Sequence, residues 1–305
     1  MASSRNTKKE KLGDRLITMV IAALIVITVV VVAYPLWFVL IASFSDPSLV
    51  ASGQVTLWPR GLTLAGYELV IADERIWQGY GNTILYAVGG TTLNLLVTLP
   101  AAFALSRRDF RPRRTLLFGL VFTMMFSGGL IPSYILFHNL GLLNTRWVFI
   151  LPVAVNVFNL IIARAFFEVS IPEELYDAAR VDGVSFFGFF TRIALPLSGA
   201  LVAVIGLYYF VQHWNDYFTG LVFIRDQSML PLQNVLQSII LANQSSNVRE
   251  VATVGAGGTT MQDARELADQ IKYGVIIVSS LPLLVLYPFV QKYFNKGVML
   301  GAVKG

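Results

Sequence analysis

Few side chains in this sequence can do covalent chemistry. It has no cysteine and two histidines, His138 and His213, 75 positions apart. A thiol nucleophile and a zinc site built on Cys are excluded, and a His-rich metal site has nothing to build on. No Ser–His or His–Asp constellation can be assembled, because the long apolar stretches hold almost no acid to complete one. Two other groups of residues combine type and spacing. At 213–217 stand His213, Trp214, Asn215, Asp216 and Tyr217. Planar polar groups beside aromatic faces suit noncovalent binding of a polyhydroxylated solute. The same residues also suit an aromatic belt at a membrane surface, with Asp216 at the water boundary. At 170–183 acids alternate with small residues: Glu173, Glu174, Asp177, Ala178, Ala179 and Gly183. That pattern suits docking rather than catalysis. The glycine-rich stretch Gly255, Ala256, Gly257, Gly258 lacks the lysine of a phosphate loop, and no Gly-x-x-x-x-Gly-Lys-Ser/Thr pattern occurs in the chain. It is a flexible finger or an ordinary surface loop.

These residues must be held by helices in a bilayer. Of 305 residues, 55% are hydrophobic and 13% charged, and the mean hydropathy is +0.65. Soluble domains carry about 25% charged residues. Cutting the chain at its charges leaves uncharged stretches at 16–45, 76–106, 115–145, 147–163, 193–215 and 273–291. Each is close to or above the ~20 residues that a membrane helix needs, so six spans are expected. The first is too long for a signal-peptide core and should stay as an anchor. With the N-terminus inside, 16 of the 23 Lys and Arg residues fall in inside segments and 7 outside. That asymmetry places both termini in the cytoplasm. The net charge of +5 is thus a topology signal, not a nucleic-acid surface. The expected organisation is a basic tail at 1–15, a first span at 16–45, and a five-helix core at 76–291. The core includes an inside loop at 164–196 and an outside loop at 225–272, and a short inside tail follows at 292–305. Pro132 and Pro282 are expected to kink the third and sixth spans. Asn82 and Asn94 are expected to bond between helices, and His213 to be a hydrogen-bonded packing or pathway residue.

The inside loop is the most structured of the connections. Ser170 with Glu173 has the spacing of a capping box, and Pro172 suits a first turn. A helix is predicted over 171–181, with its acids at the positive end of the dipole. Gly183 permits a reversal. A second helix is predicted over 184–194, and Pro196 should begin the fifth span. The loop is therefore a helical hairpin that either packs on its own spans or docks a cytoplasmic partner.

The same residues carry a resemblance. Asp177-Ala178-Ala179, three residues, Gly183, nine residues, then Ile193-Ala194-Leu195-Pro196 resembles the Glu-Ala-Ala loop of ABC importer permeases, with Asp in place of Glu at 177. Trp214-Asn215-Asp216-Tyr217 and the ending Gly301-Ala302-Val303-Lys304-Gly305 are similar to the carbohydrate branch of that family. So are Phe126-Ser127-Gly128-Gly129-Leu130-Ile131-Pro132 and Asn139 to Thr145. The likeness runs from the first span to the last residue. It implies an all-α, integral membrane chain of six transmembrane helices with a cytoplasmic coupling hairpin, the type I importer permease fold, in a bacterial cell membrane. It implies a sugar as substrate, a second permease as heterodimer partner, two ATP-binding cassette ATPases carrying ATP and Mg, and an extracytoplasmic binding protein. On this chain it implies ATPase coupling by Glu173, Glu174, Asp177, Ala178, Ala179, Gly183, Ile193, Leu195 and Pro196. It also implies a pathway segment at 213–217, a binding-protein finger at Gly255, Gly257 and Gly258, and a tail contact at Gly301, Lys304 and Gly305. A permease for a peptide or amino acid is the nearest alternative. A membrane-embedded enzyme would need a constellation that the sequence lacks.

Overall fold

The computed structural model describes residues 12–239, 241, 272–288 and 291. Among them there are helices and turns and no strand. The chain divides into two units, Met1–Val70 with Asn243–Val278, and Ile71–Ala242 with Ser279–Gly305.

In the first unit, helix α1 (Leu12–Ser43) is apolar on every side, and residues 16–37 are exposed throughout. Such a helix has no core face and belongs in lipid. Its 32 residues span about 48 Å, ample for a hydrocarbon core of ~30 Å. The end of α1 is buried, where Tyr67 donates its hydroxyl to Ser43 Oγ at 2.8 Å and its ring meets Phe44. Helix α2 (Pro47–Ala51) starts at Asp46, whose carboxylate accepts from Ser48 N at 2.9 Å. Those bonds to Ser48 hold the Asp46 carboxyl below its usual pKa. Helix α3 (Ala65–Ala72) follows.

The second unit is built on α4 (Glu74–Ser106), a single 33-residue helix capped by Asp73. Its buried positions, among them Asn82, Tyr86, Gly90, Asn94, Thr98 and Ala102, recur every four residues. That stripe packs against α7 (Val157–Ser170) and α10 (Gly199–Trp214). The remaining helices are α5 (Arg113–Met125), α6 (Leu130–Asn139), α8 (Glu173–Val181), α9 (Phe186–Leu197), α11 (Phe218–Phe223), α12 (232–239) and α13 (Lys272–Pro288). Residues Arg15–Ser43 and Glu74–Ser106 are each long and apolar enough to cross a membrane unbroken.

Four expectations are corrected. The stretch 115–145 is not one helix with a kink at Pro132. It breaks at 126–129, and α5 and α6 meet at 114°. Gly129 sits there at φ +84° and donates its N–H to Ser127 Oγ at 3.2 Å, while Pro132 falls in the first turn of α6. The stretch 147–163 is not a helix from its start. A 3-10 turn at Arg146–Phe149 leads into irregular chain around Pro152, and α7 begins only after Asn156, whose side chain accepts from Asn159 N. A proline pushes the residue before it out of the helical region, so the helix restarts further along. It then runs through Arg164 and Glu168, which form an i,i+4 ion pair, to Ser170. Ser170 is consumed in α7, so it cannot open a capping box. The next helix begins at Glu173 behind Pro172, with no side-chain cap. Finally, Pro196 does not open the fifth span. It lies at the end of α9, and an 84° bend at Ser198 separates α9 from α10.

Candidate functional site

Helices α8 and α9 form a hairpin whose turn is a Schellman motif. Val184 N donates to Ala179 O at 2.9 Å and Gly183 N to Arg180 O at 3.0 Å, with Gly183 at φ +76°. A Cβ at Gly183 would touch nothing within 4 Å. The glycine is required by backbone conformation, not by space. Ser185 caps α9 by accepting from Gly188 N at 3.1 Å. Inside α9, Leu195 N bonds Phe190 O, five residues back, which makes a π turn just before Pro196.

The hairpin has two faces. Ala179, 6% exposed, and half-buried Tyr176 point into the apolar core of the unit. That core centres on Phe103 of α4, whose ring lies 5.2–6.0 Å from Phe186, Phe189, Phe190 and Phe167. Ile193 and Leu195 pack on the same core, while Pro196 is exposed. The opposite face shows Glu174, Asp177 and Ala178 beside Leu175, Phe187 and Val181, the last 89% exposed. Glu173 makes an exposed pair with Arg108 at 3.4 Å. Two small cavities border this face, of about 150 and 470 Å³, and both are lined by Arg107, Arg108 and Glu173. Burial holds the Arg107 guanidinium below its usual pKa, and the carboxylates of Glu173 and Asp109 offset part of that.

The 213–217 segment is not one surface. His213 (3% exposed) and Trp214 (1% exposed) point inward. His213 Nε2 lies 2.8 Å from Asn94 Oδ1, and Asn94 Nδ2 donates to Val153 O. One turn away Thr98 Oγ1 lies 2.8 Å from Tyr209 Oη, which accepts from Asn156 N at 3.0 Å. These two rungs cross from α4 to α10 and hold the irregular chain ahead of α7. Trp214 donates its indole N–H to Ser279 O at 3.2 Å and stacks on Phe210. Asn215 is exposed and bonds Val211 O at 3.0 Å. Asp216 accepts from Thr219 N at 3.1 Å at the start of α11. Asn82 donates to Ser228 O and Leu230 O, so both asparagines tie α4 to other parts of its unit.

Sequence reasoning did not single out Arg107, Phe103 or Gly90, and it took Tyr209 for an aromatic beside the solute rather than a rung of the ladder. A Cβ at Gly90 would collide with the His213 ring. Gly90, Asn94 and Thr98, four apart on an apolar helix, are the small and polar residues by which membrane helices approach closely, and that spacing was the available signal. Gly255, Gly257, Gly258, Gly301, Lys304 and Gly305 lie outside the described residues.

No group of His, Cys, Asp and Glu among the described residues is arranged to hold a metal. Apolar helices, broken helices around a buried polar ladder, and a folded hairpin with an exposed face mark the described part of the chain as that of a membrane protein. The chain belongs to the family described as binding-protein-dependent transport system inner membrane component, which matches residues 1–300. It is 39% identical to Protein LplC of Bacillus subtilis (strain 168) over 271 residues, covering 89% of each chain. It is 36% identical to the polygalacturonan/rhamnogalacturonan transport system permease protein YtcP of the same organism, covering 96% of this chain and 99% of that one. A crystal structure of a bacterial ABC transporter involved in the import of the acidic polysaccharide alginate contains a chain that superposes with a TM-score of 0.82. The identity there is 31%, covering 94% of this chain and 100% of that one.

Proposed function

We propose that this chain is the membrane permease of an ATP-driven importer for an oligosaccharide. Delivery by an extracytoplasmic binding protein and energy from two separate ATPase subunits complete the system. The sugar is supported by relatives that carry polygalacturonan, rhamnogalacturonan and arabinooligosaccharides in their names. A peptide or amino-acid substrate has no such support.

The full architecture we propose is six spans with both termini cytoplasmic, the bent pair α5–α6 contributing to one span and α10 forming the fifth after the bend at Ser198. In that orientation the α8–α9 hairpin projects into the cytoplasm. One observation carries the docking role: a rigid, two-faced hairpin, seated on the transmembrane core by Tyr176 and Ala179, with its acidic and apolar face left exposed. ATP and Mg stay on the partner ATPases, whose closure moves the hairpin and so the spans. A second permease forms the other half of the pathway as heterodimer partner. Gly255, Gly257 and Gly258 reach the binding protein, and Gly301, Lys304 and Gly305 add a tail contact. Within 213–217, we assign the solute to exposed Asn215 and its part-exposed neighbours Asp216 and Tyr217. His213 and Trp214 shape the wall behind them.

Reconstituted importer in proteoliposomes tests this reading. Uptake of an oligosaccharide should require ATP and the binding protein, and short peptides should not be taken up. Peptide uptake without sugar uptake would overturn it. Reporters fused at Gly258 and after Gly305 should read external and cytoplasmic respectively.

A further inference from the structure

Arg107 is a cation buried among helix ends, 2% exposed, and no carboxylate bonds it directly among the described residues. Its Nη2 donates to Phe167 O and Ile171 O, both at 3.2 Å. Those are carbonyls of the last turn of α7, where Phe167 O also accepts from Ile171 N at 3.2 Å, and of the link to α8, at the end where a helix carries partial negative charge. Its Nε donates to Ser106 Oγ at 3.2 Å, and its guanidinium lies 4.9 Å over the Phe103 ring. Its own carbonyl accepts from Arg113 Nη1 at 3.3 Å. One residue thereby ties the end of α4, the start of α5, the end of α7 and the root of α8. Phe103, one turn back on α4, holds the other arm of the hairpin through Phe186, Phe189 and Phe190.

The grip is also incomplete. Arg107 Nη1 is buried and has no hydrogen-bond partner among the described residues. A buried donor left unmet is costly, and such a group in a native fold calls for a reason. Glu173, the first residue of α8, borders two of the cavities that Arg107 lines and now pairs loosely with Arg108 at 3.4 Å. Of the carboxylates on α8, Glu173 alone shares both of these cavities with Arg107, so a shift of α8 can bring it to Nη1. A residue needed only to fill this place would not require a planar fork that spans two carbonyls and keeps donors in reserve.

We infer that Arg107 is the positioning residue through which displacement of the α8–α9 hairpin is passed into α4, with Glu173 as the acceptor that Nη1 takes up in the displaced state. The inference rests on the hairpin docking the ATPases, as proposed above.

The chain has no cysteine, so spin-label pairs can be introduced in it and labelled before assembly, without background from this chain. Leu96, Arg192 and Tyr208 are exposed positions on α4, α9 and α10. In the complete importer, the 192–208 pair reports the hairpin and the 96–208 pair reports α4. In the parent, both distance distributions should shift when ATP is added. In Arg107→Lys, which keeps the charge and loses the fork, the 192–208 pair should still shift and the 96–208 pair should not. Solute imported per ATP should fall at least tenfold at unchanged assembly with the ATPases. Arg113→Gln, which frees the Arg107 carbonyl and spares the guanidinium, should give a partial loss and serves if Arg107→Lys does not assemble. A shift of both pairs in Arg107→Lys, or full transport in either variant, overturns the inference. A parent whose 192–208 pair ignores ATP overturns the docking reading instead.

Discussion

The hairpin at 173–197 and the segment at 213–217 were both marked by short motifs, yet they are held in different ways. The hairpin is shaped by local rules: a Schellman turn at Gly183, a Ser185 cap, a proline at each end. Local rules operate over a few residues, so they are visible in a linear sequence. The 213–217 segment takes its shape from partners far along the chain. His213 is fixed by Asn94, and Trp214 by Ser279. A motif of locally determined shape predicts its own exposure; one whose partners are distant does not. Two residues of that segment are therefore buried: for His213 this agrees with the expected hydrogen-bonded packing role, while the burial of Trp214 is a result no periodicity could foretell.

The sharpest way to break this contrast is to remove the seat of the hairpin rather than the hairpin itself. Phe103→Ala should cost about 3–5 kcal/mol, the usual loss for a buried Phe. Thermal unfolding in detergent should show it, with protease cutting appearing first at 171–197. A hairpin that stays protected would mean that its local rules alone hold it.

Next comes the close approach of α4 to α10. Gly90→Val drives a side chain into the His213 ring, an overpacking that costs ~1–3 kcal/mol. Gly89→Ala, where a Cβ meets only Ile150 Cδ1 at 3.6 Å, should melt with the parent. Equal melting of the two variants would show that the polar ladder is not a tight contact.

At the turn, Gly183→Val should cost of order 1–2 kcal/mol from its positive φ alone. Gly183→Asn should cost less, because Asn tolerates the left-handed region. Since nothing lies within 4 Å of the new Cβ, a graded series, Gly above Asn above Val, should appear in ATP-coupled uptake at constant membrane level. A step that follows side-chain size instead would point to a steric limit set by a partner.

Smallest in stability is Asn215→Ala. Its side chain is exposed and bonds only Val211 O among the described residues, so the stability should change by no more than about 0.5 kcal/mol. If Asn215 meets solute hydroxyls, the KM for uptake should rise several-fold with that stability unchanged. An unaltered KM would place solute recognition elsewhere.

Much of the helical architecture was legible, because long uncharged runs can only be buried or lipid-facing. The breaks were less so. Arg164 and Glu168 made a cut in the charge pattern, but they neutralise each other at i,i+4 and α7 runs through them. Gly129 was expected only to help a kink at Pro132, but its positive φ makes the break itself. Arg107 was hidden among five arginines at 107–114 that sequence alone treats as one topology signal. Only burial separates it from Arg108 beside it, which is exposed.

The central claim, that the exposed face of α8 docks an ATPase, is tested most directly by cross-linking. A single cysteine at Ala178, exposed on that face, would be paired with single cysteines placed across the ATPase surface in the assembled importer. Ala178→Cys should give an ATPase-specific cross-link whose yield changes with ATP, while a cysteine at Trp58, exposed on the loop after α1, should give none. A cross-link from Trp58→Cys, or none from Ala178→Cys in a complex that still transports, would contradict it.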